Sequence, residues 1–294
     1  MNELLGVKNE LLGAWPGIPL LDASIVLLLT SLGLRTGPAD VLLLFRKPML
    51  GVRALLAMFV FVPACTFLMT WSLPLEPAIR ASLLAMSVAP LCPIPLRAAS
   101  NVNTDSDYLL GLQVFSAIVS IAAVPAMLAL SGSIFGVESR YPIGDIAFFI
   151  LRQIGLPLAV GMGLARLLGG KREFVALWLG RAGLIAMVIS MAIIIYFLVP
   201  RIWAMTFNGR LLSVLAFIGF VVLGGHLFGG ADRGARDNLV MGSLQRHPAV
   251  SLLIATAVLP AEEATMIAVI IMFVLASNVA FIPYMIKRKD AAVA

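Results

Sequence analysis

The sequence predicts an all-α polytopic membrane protein, with nine transmembrane helices in an inverted repeat around two broken crossover helices. Three observations predict it. Hydrophobic residues make up 61% of the chain and charged residues only 12%, where soluble domains carry roughly 25% charged. Nine apolar stretches approach or exceed the ~20 residues that cross a bilayer. Two of these stretches, the third and the eighth, are interrupted by proline next to arginine. Proline removes a backbone donor and clashes with the preceding turn, so a helix breaks there. In lipid, broken backbone persists only where protein or a wet cavity satisfies it.

The elements follow in order, with boundaries drawn from hydropathy and breakers. Residues 1–14 are mildly amphipathic and are expected at the surface, without a removable signal peptide. The first span is about 17–34, opening after Trp15-Pro16 and closing at Arg35. Residues 38–48 read as a short amphipathic helix on the cytoplasmic surface. The second span is about 50–72, and the third about 78–102, with its break at Pro93/Pro95. The fourth, fifth and sixth are about 107–131, 143–168 and 175–199. The seventh is about 210–229, the eighth about 238–259 with a break near Pro248, and the ninth about 264–286. No linker is long enough for a soluble domain, so residues 1–294 form one transmembrane domain, with repeat one at about 17–131 and repeat two at about 143–287.

Basic residues orient the chain, because cytoplasmic loops carry excess Lys and Arg. With nine crossings, 13 loop cations fall on one side, including Arg35, Lys47, Arg53, Arg172, Arg233 and Lys287, and 5 on the other. The N-terminus is then outside and the C-terminus cytoplasmic, in a plasma (bacterial inner) membrane. The net charge of +6 follows from those loops and implies no nucleic-acid partner. Cys65 and Cys92 lie in apolar segments with no metal-ligand spacing, so Cys92 is expected to be buried and inert.

The third segment carries Arg97 and is followed by Asp105 and Asp107. The eighth carries Arg246 and is followed by Glu262 and Glu263. Five spans apart, the two segments run in opposite directions, as in inverted repeats whose broken helices meet near the midplane.

The run Gly33-Leu34-Arg35-Thr36-Gly37-Pro38-Ala39-Asp40, then Phe45-Arg46-Lys47-Pro48, resembles the first cytoplasmic loop of the bile acid:sodium symporter family. Pro63-Ala64 fits the next span. Ala99-Ser100-Asn101-Val102 is similar to the family's first crossover motif, and Gln245 to the glutamine of the second. The resemblance implies a core domain with two crossing broken helices, a flatter panel domain, and alternating-access transport of organic anions.

It also implies two sodium sites built from the Ser-Asn pair, a glutamate four residues before the glutamine, the glutamine, and hydroxyls on the helix after the first crossover. Ser100, Asn101 and Gln245 are present, and Gln113, Ser116 and Ser120 face one way on the hydroxyl helix. Met241 stands at the glutamate position and Arg246 at that of an asparagine, while Leu96 and Arg97 replace small residues. The ion-binding set, degenerate in this chain, is therefore Ser100, Asn101, Gln113, Ser116, Met241 and Gln245.

No acidic residue lies between Asp107 and Glu138, Glu173 and Asp232, or Asp237 and Glu262. The crossover segments thus lack a deep carboxylate for sodium and hold two arginines instead. An intramembrane charge costs at least ~2.5–3.5 kcal/mol and faces a partner or a wet cavity. Arginine stays protonated there and presents a planar fork to a carboxylate.

The reading is a secondary transporter of a small organic anion. Its expected substrate residues are Arg97, Ala98, Ser100, Asn101, Gln245, Arg246 and His247, and its sodium coupling is weakened or lost. Na+ remains open as coupling ion, with H+ as the alternative and His247 as a relay, and no other cofactor is implied. The structural alternatives are that Arg97 pairs with Asp105 or Asp107, Arg246 pairs with Asp237, and His247 bonds backbone freed by Pro248. The functional alternatives are an ordinary sodium-coupled organic-anion symporter and a non-transporting membrane sensor. No nucleophile–base or metal-ligand motif supports an enzyme. The partners are the lipid bilayer and the anion, and a homodimer is compatible with the sequence.

Overall fold

The computed structural model describes residues 17–37, 43–92, 106–135, 142–206, 210–258 and 262–293. Those residues are almost entirely helical. Six of their helical runs are long and apolar enough to cross a membrane: Ile18–Arg35, Pro48–Ser72, Tyr108–Leu130, Ala147–Met205, Arg210–Phe228 and Ala264–Tyr284.

The count of six, made on the described residues, differs from the expected nine in two places. Ala147–Met205 is 59 residues long and holds the fifth and sixth segments together, divided by a single 3-10 turn at Gly169–Lys171. Gly169 has φ +50°, which suits glycine and stops the helix. The third and eighth segments fall below a full span because each is broken. Their helices are Pro77–Val88 and, on either side of the second break, Arg233–Leu244 and Pro248–Val258.

In chain order the α-helices are α1 (Ile18–Arg35), α2 (Leu43–Arg46), α3 (Pro48–Leu55), α4 (Val62–Ser72), α5 (Pro77–Val88), α6 (Ser106–Phe135), α7 (Ile143–Ile150), α8 (Leu156–Leu168), α9 (Arg172–Thr206), α10 (Arg210–Phe228), α11 (Arg233–Leu244), α12 (Pro248–Val258) and α13 (Glu263–Val293). Two π-helical turns interrupt the series, Leu56–Phe61 between α3 and α4 and Leu151–Gly155 between α7 and α8. Each precedes a proline, Pro63 or Pro157, whose missing N–H leaves the local hydrogen-bond register unsatisfied.

The surface helix expected at 38–48 is seen only as α2, residues 38–42 lying outside the described residues. Pro48 then opens α3, where its fixed φ suits the first helical position.

The chain divides into two compact units, Met1–Pro38 with Tyr141–Pro200, and Ala39–Arg140 with Arg201–Ala294. Within the first, α1 and α8 cross with their backbones almost touching. A methyl group on Gly33 would strike the Leu158 carbonyl, and one on Gly161 would strike the Thr30 carbonyl. Small residues permit such approach between membrane helices. Asp22 of α1 accepts from the Gln153 amide in the second π turn.

Within the second unit, Phe217, Phe273, Met86, Leu83, Val240 and Met241 form a fully buried core. Outward-facing Leu68, Trp71, Leu212 and Val279 are exposed, as expected of surfaces facing lipid.

Candidate crossover site

The site is built where the two broken segments meet, wholly within the second unit. Helix α5 ends at Val88, earlier than the expected break at Pro93/Pro95. Ala89 is extended, with ψ 144°. The physical reason is Pro90, whose ring pushes the preceding residue out of the helical region. Pro90, Leu91 and Cys92 then run without helix. In the other segment α11 ends at Leu244, and Pro248 restarts the chain as the first residue of α12.

The two breaks bond to each other. Leu91 and Arg246 form an isolated antiparallel bridge. The Cys92 N–H donates to the Gln245 carbonyl at 2.7 Å, and the His247 N–H donates to the Pro90 carbonyl at 2.8 Å. Each break thus satisfies backbone groups that the other leaves open, as a water-poor environment requires. The Leu91 N–H, pointing away from this pair, donates to Ser116 Oγ on α6 at 3.2 Å. Ser116 in turn donates to the Gln113 carbonyl at 2.8 Å.

Arg246 fastens the crossing. Its side chain is only 2% exposed. Nη1 donates to the Ala89 carbonyl at 2.9 Å, and Nη2 donates to the Met58 carbonyl at 3.3 Å. Both carbonyls are left open by prolines. Ala89 stands just past the end of α5 and precedes Pro90. In the π register of Leu56–Phe61, the Val62 N–H bonds Ala57, so Met58 would look to residue 63 for its donor. Residue 63 is proline and has none. The partners of Arg246 are therefore carbonyl oxygens, not Asp237. Its Nε has no hydrogen-bond partner among the described residues.

His247 is wholly buried. Its Nδ1 accepts from the Val250 N–H at 3.3 Å, and its carbonyl accepts from Ser251 Oγ at 2.9 Å. It caps the first turn of α12. Accepting at Nδ1 places the ring proton of the neutral imidazole on Nε2.

Gln245 donates through Nε2 to Asn278 Oδ1 on α13 at 3.3 Å. Met241 is 0% exposed and belongs to the apolar core. Gln113 is 5% exposed, and neither its amide nitrogen nor its amide oxygen bonds any described residue. Cys92 is buried in the break. Arg97, Ala98, Ser100 and Asn101 lie outside the described residues, as does Asp105.

The structure therefore brings together Gln245, Arg246 and His247 with Ser116, through the backbone of Pro90–Cys92. Sequence reasoning missed two members of this cluster. Asn278 was legible as a polar residue in the middle of the ninth apolar stretch. The Met58 carbonyl had only Pro63, five residues on, to betray it.

A sequence model described as Sodium Bile acid symporter family matches residues 23–208, well over half of the 294. The chain belongs to that family. Its members are transporters, not enzymes, and this chain is a transmembrane transporter. A comparison with curated proteins gives no match. The family match takes in the first break and Gln113 and Ser116, and ends before Gln245, Arg246 and His247. The second break is tied to the matched region by the hydrogen bonds just described.

Proposed function

We propose that this member of the Sodium Bile acid symporter family is a secondary transporter of a small organic anion, working by alternating access. Fixed arginine charge at the crossing takes the electrostatic place of coupled sodium. One observation carries the reading: a buried guanidinium at the crossing is held by neutral carbonyls, while the position resembling the family's sodium glutamate is the buried Met241. Carbonyl partners orient the guanidinium without cancelling its charge. At an effective dielectric of about 20, one positive charge stabilises an anion ~6 Å away by about 3 kcal/mol.

Arg97, Ala98, Ser100 and Asn101 of the first break would complete the substrate site with Gln245, Arg246 and His247. Loop cations favour an inner-membrane protein with its N-terminus outside and C-terminus in the cytoplasm. The antiparallel direction of the two breaks supports an inverted repeat.

The test is uptake of small carboxylates into proteoliposomes with and without a sodium gradient. Uptake that persists without sodium is expected. Strict dependence on two sodium ions per anion sinks this reading.

One observation favours a second reading, an ordinary sodium-coupled symporter. The buried Gln113 amide oxygen, unbonded among the described residues, is the kind of neutral oxygen that can hold a cation. Loss of all sodium stimulation in Gln113→Leu, with uptake strictly sodium-dependent in the parent, would favour it.

A further inference from the structure

A polar cavity lies apart from the crossover site, at one end of the second unit. It encloses about 220 Å³ and is lined by Lys47, Arg53, Tyr108 and Asp232, with Leu50 and Gly229 among its walls.

Its depth is set by the helices around it. Lys47 immediately precedes the span Pro48–Ser72, Tyr108 opens the span Tyr108–Leu130, and Gly229 immediately follows the span Arg210–Phe228. Three span ends meet there, so the cavity sits where hydrocarbon gives way to water.

Lys47, Leu50 and Arg53 recur every third residue on one face of α3 and its leading turn. Neither cation forms an ion pair within the described residues. The backbone is shaped to receive Arg53, because Gly230 has φ +82° and a methyl group there would collide with the Arg53 guanidinium. Tyr108 is 5% exposed. The one acid among the described lining residues, Asp232, caps α11. Its two carboxylate oxygens accept from the Gly234 and Ala235 N–H groups, each at 3.1 Å. It keeps lone pairs for a further donor.

Two cations and a phenol suit a phosphate. A nearby carboxylate suits a hydroxyl or ammonium attached to that phosphate. On the same stretch of chain, Phe45 and Val52 are 49% exposed and Met49 is 63% exposed, apolar surface suited to acyl chains.

We infer that this cavity binds the phosphodiester headgroup of a membrane phospholipid, with Lys47, Arg53 and Tyr108 on the phosphate and Asp232 on a donor of the headgroup alcohol. The alternative source of the same chemistry is free phosphate.

The experiment is thermal unfolding of the full chain in detergent, titrated separately with phosphatidylglycerol, phosphatidylethanolamine, phosphatidylcholine and inorganic phosphate. Saturable stabilisation by the first two is expected. Phosphatidylcholine, with no headgroup donor for Asp232, should bind at least threefold more weakly. The double variant Lys47→Gln/Arg53→Gln should weaken the lipid effect at least tenfold. If it does not fold, Tyr108→Phe should weaken it about threefold, while Lys47→Arg keeps it. Lipid stabilisation unchanged in these variants overturns the inference. Equal binding of phosphatidylcholine overturns the part given to Asp232. Saturation by inorganic phosphate alone, with no lipid effect, overturns the lipid source.

Discussion

Replacing Arg246 with methionine should lower the thermal midpoint of the detergent-solubilised protein by roughly 4–16 °C. The magnitude follows from what the guanidinium holds. Its loss leaves two buried carbonyls, Ala89 and Met58, without donors. An unsatisfied buried acceptor costs about 1–3 kcal/mol, and bonds measured inside membranes fall toward the low end. Taking about 1–2 kcal/mol per carbonyl gives roughly 2–4 kcal/mol. At about 2–4 °C per kcal/mol for a chain approaching this size, the midpoint shift follows. Methionine matches the apolar stem of arginine, so cavity effects are small.

The decisive control is Pro63→Ala in the same background. It restores an N–H at residue 63 and lets the Met58 carbonyl find a backbone donor, so about half the loss should return. The assay is intrinsic tryptophan fluorescence against temperature, in one detergent and salt. An unchanged midpoint in Arg246→Met refutes the fastening role. No recovery on adding Pro63→Ala refutes the explanation through the π register.

Three further outcomes are expected. Met241→Glu puts a carboxylate into the buried crossing, and sodium stimulation of uptake should rise at least threefold over the parent, read in proteoliposomes with matched gradients. His247→Ala removes the cap on α12 and should cost ~0.5–2 kcal/mol, read as a fall of a few degrees in midpoint, whereas His247→Asn keeps a capping oxygen and recovers much of it. Gly161→Leu forces α8 away from α1, and a loss of more than ~2 kcal/mol is expected on the same thermal assay, since the obstacle is the Thr30 backbone and not a movable side chain.

Much of the architecture was legible in the sequence. The described helices fall close to the apolar stretches read from hydropathy, because the spans are fixed by a local quantity, the length of chain that stays apolar. The proline-based breaks were legible for the same reason, since proline acts on its own residue and its neighbours. Even so, the first break came earlier than expected, at Ala89 instead of Pro93/Pro95, because Pro90 already acts on the residue before it.

Arg246 and His247 were legible as unusual but not in their contacts. Pairing of Arg246 with Asp237 was the natural structural guess, because charge is visible in a sequence. The orphaned carbonyls that it bonds instead are not, since every residue carries one.

By itself, then, the sequence determined that the chain is a helical membrane protein, that two of its apolar segments must break, and that arginine stands at the second break. The tertiary structure decided that the two breaks bond to each other, and that Arg246 spans 157 residues to reach Ala89 and 188 to reach Met58. Hydropathy and proline act locally and leave their mark on neighbouring positions. A hydrogen bond between distant segments depends on which carbonyls the fold leaves open, and that is known only once the helices have met.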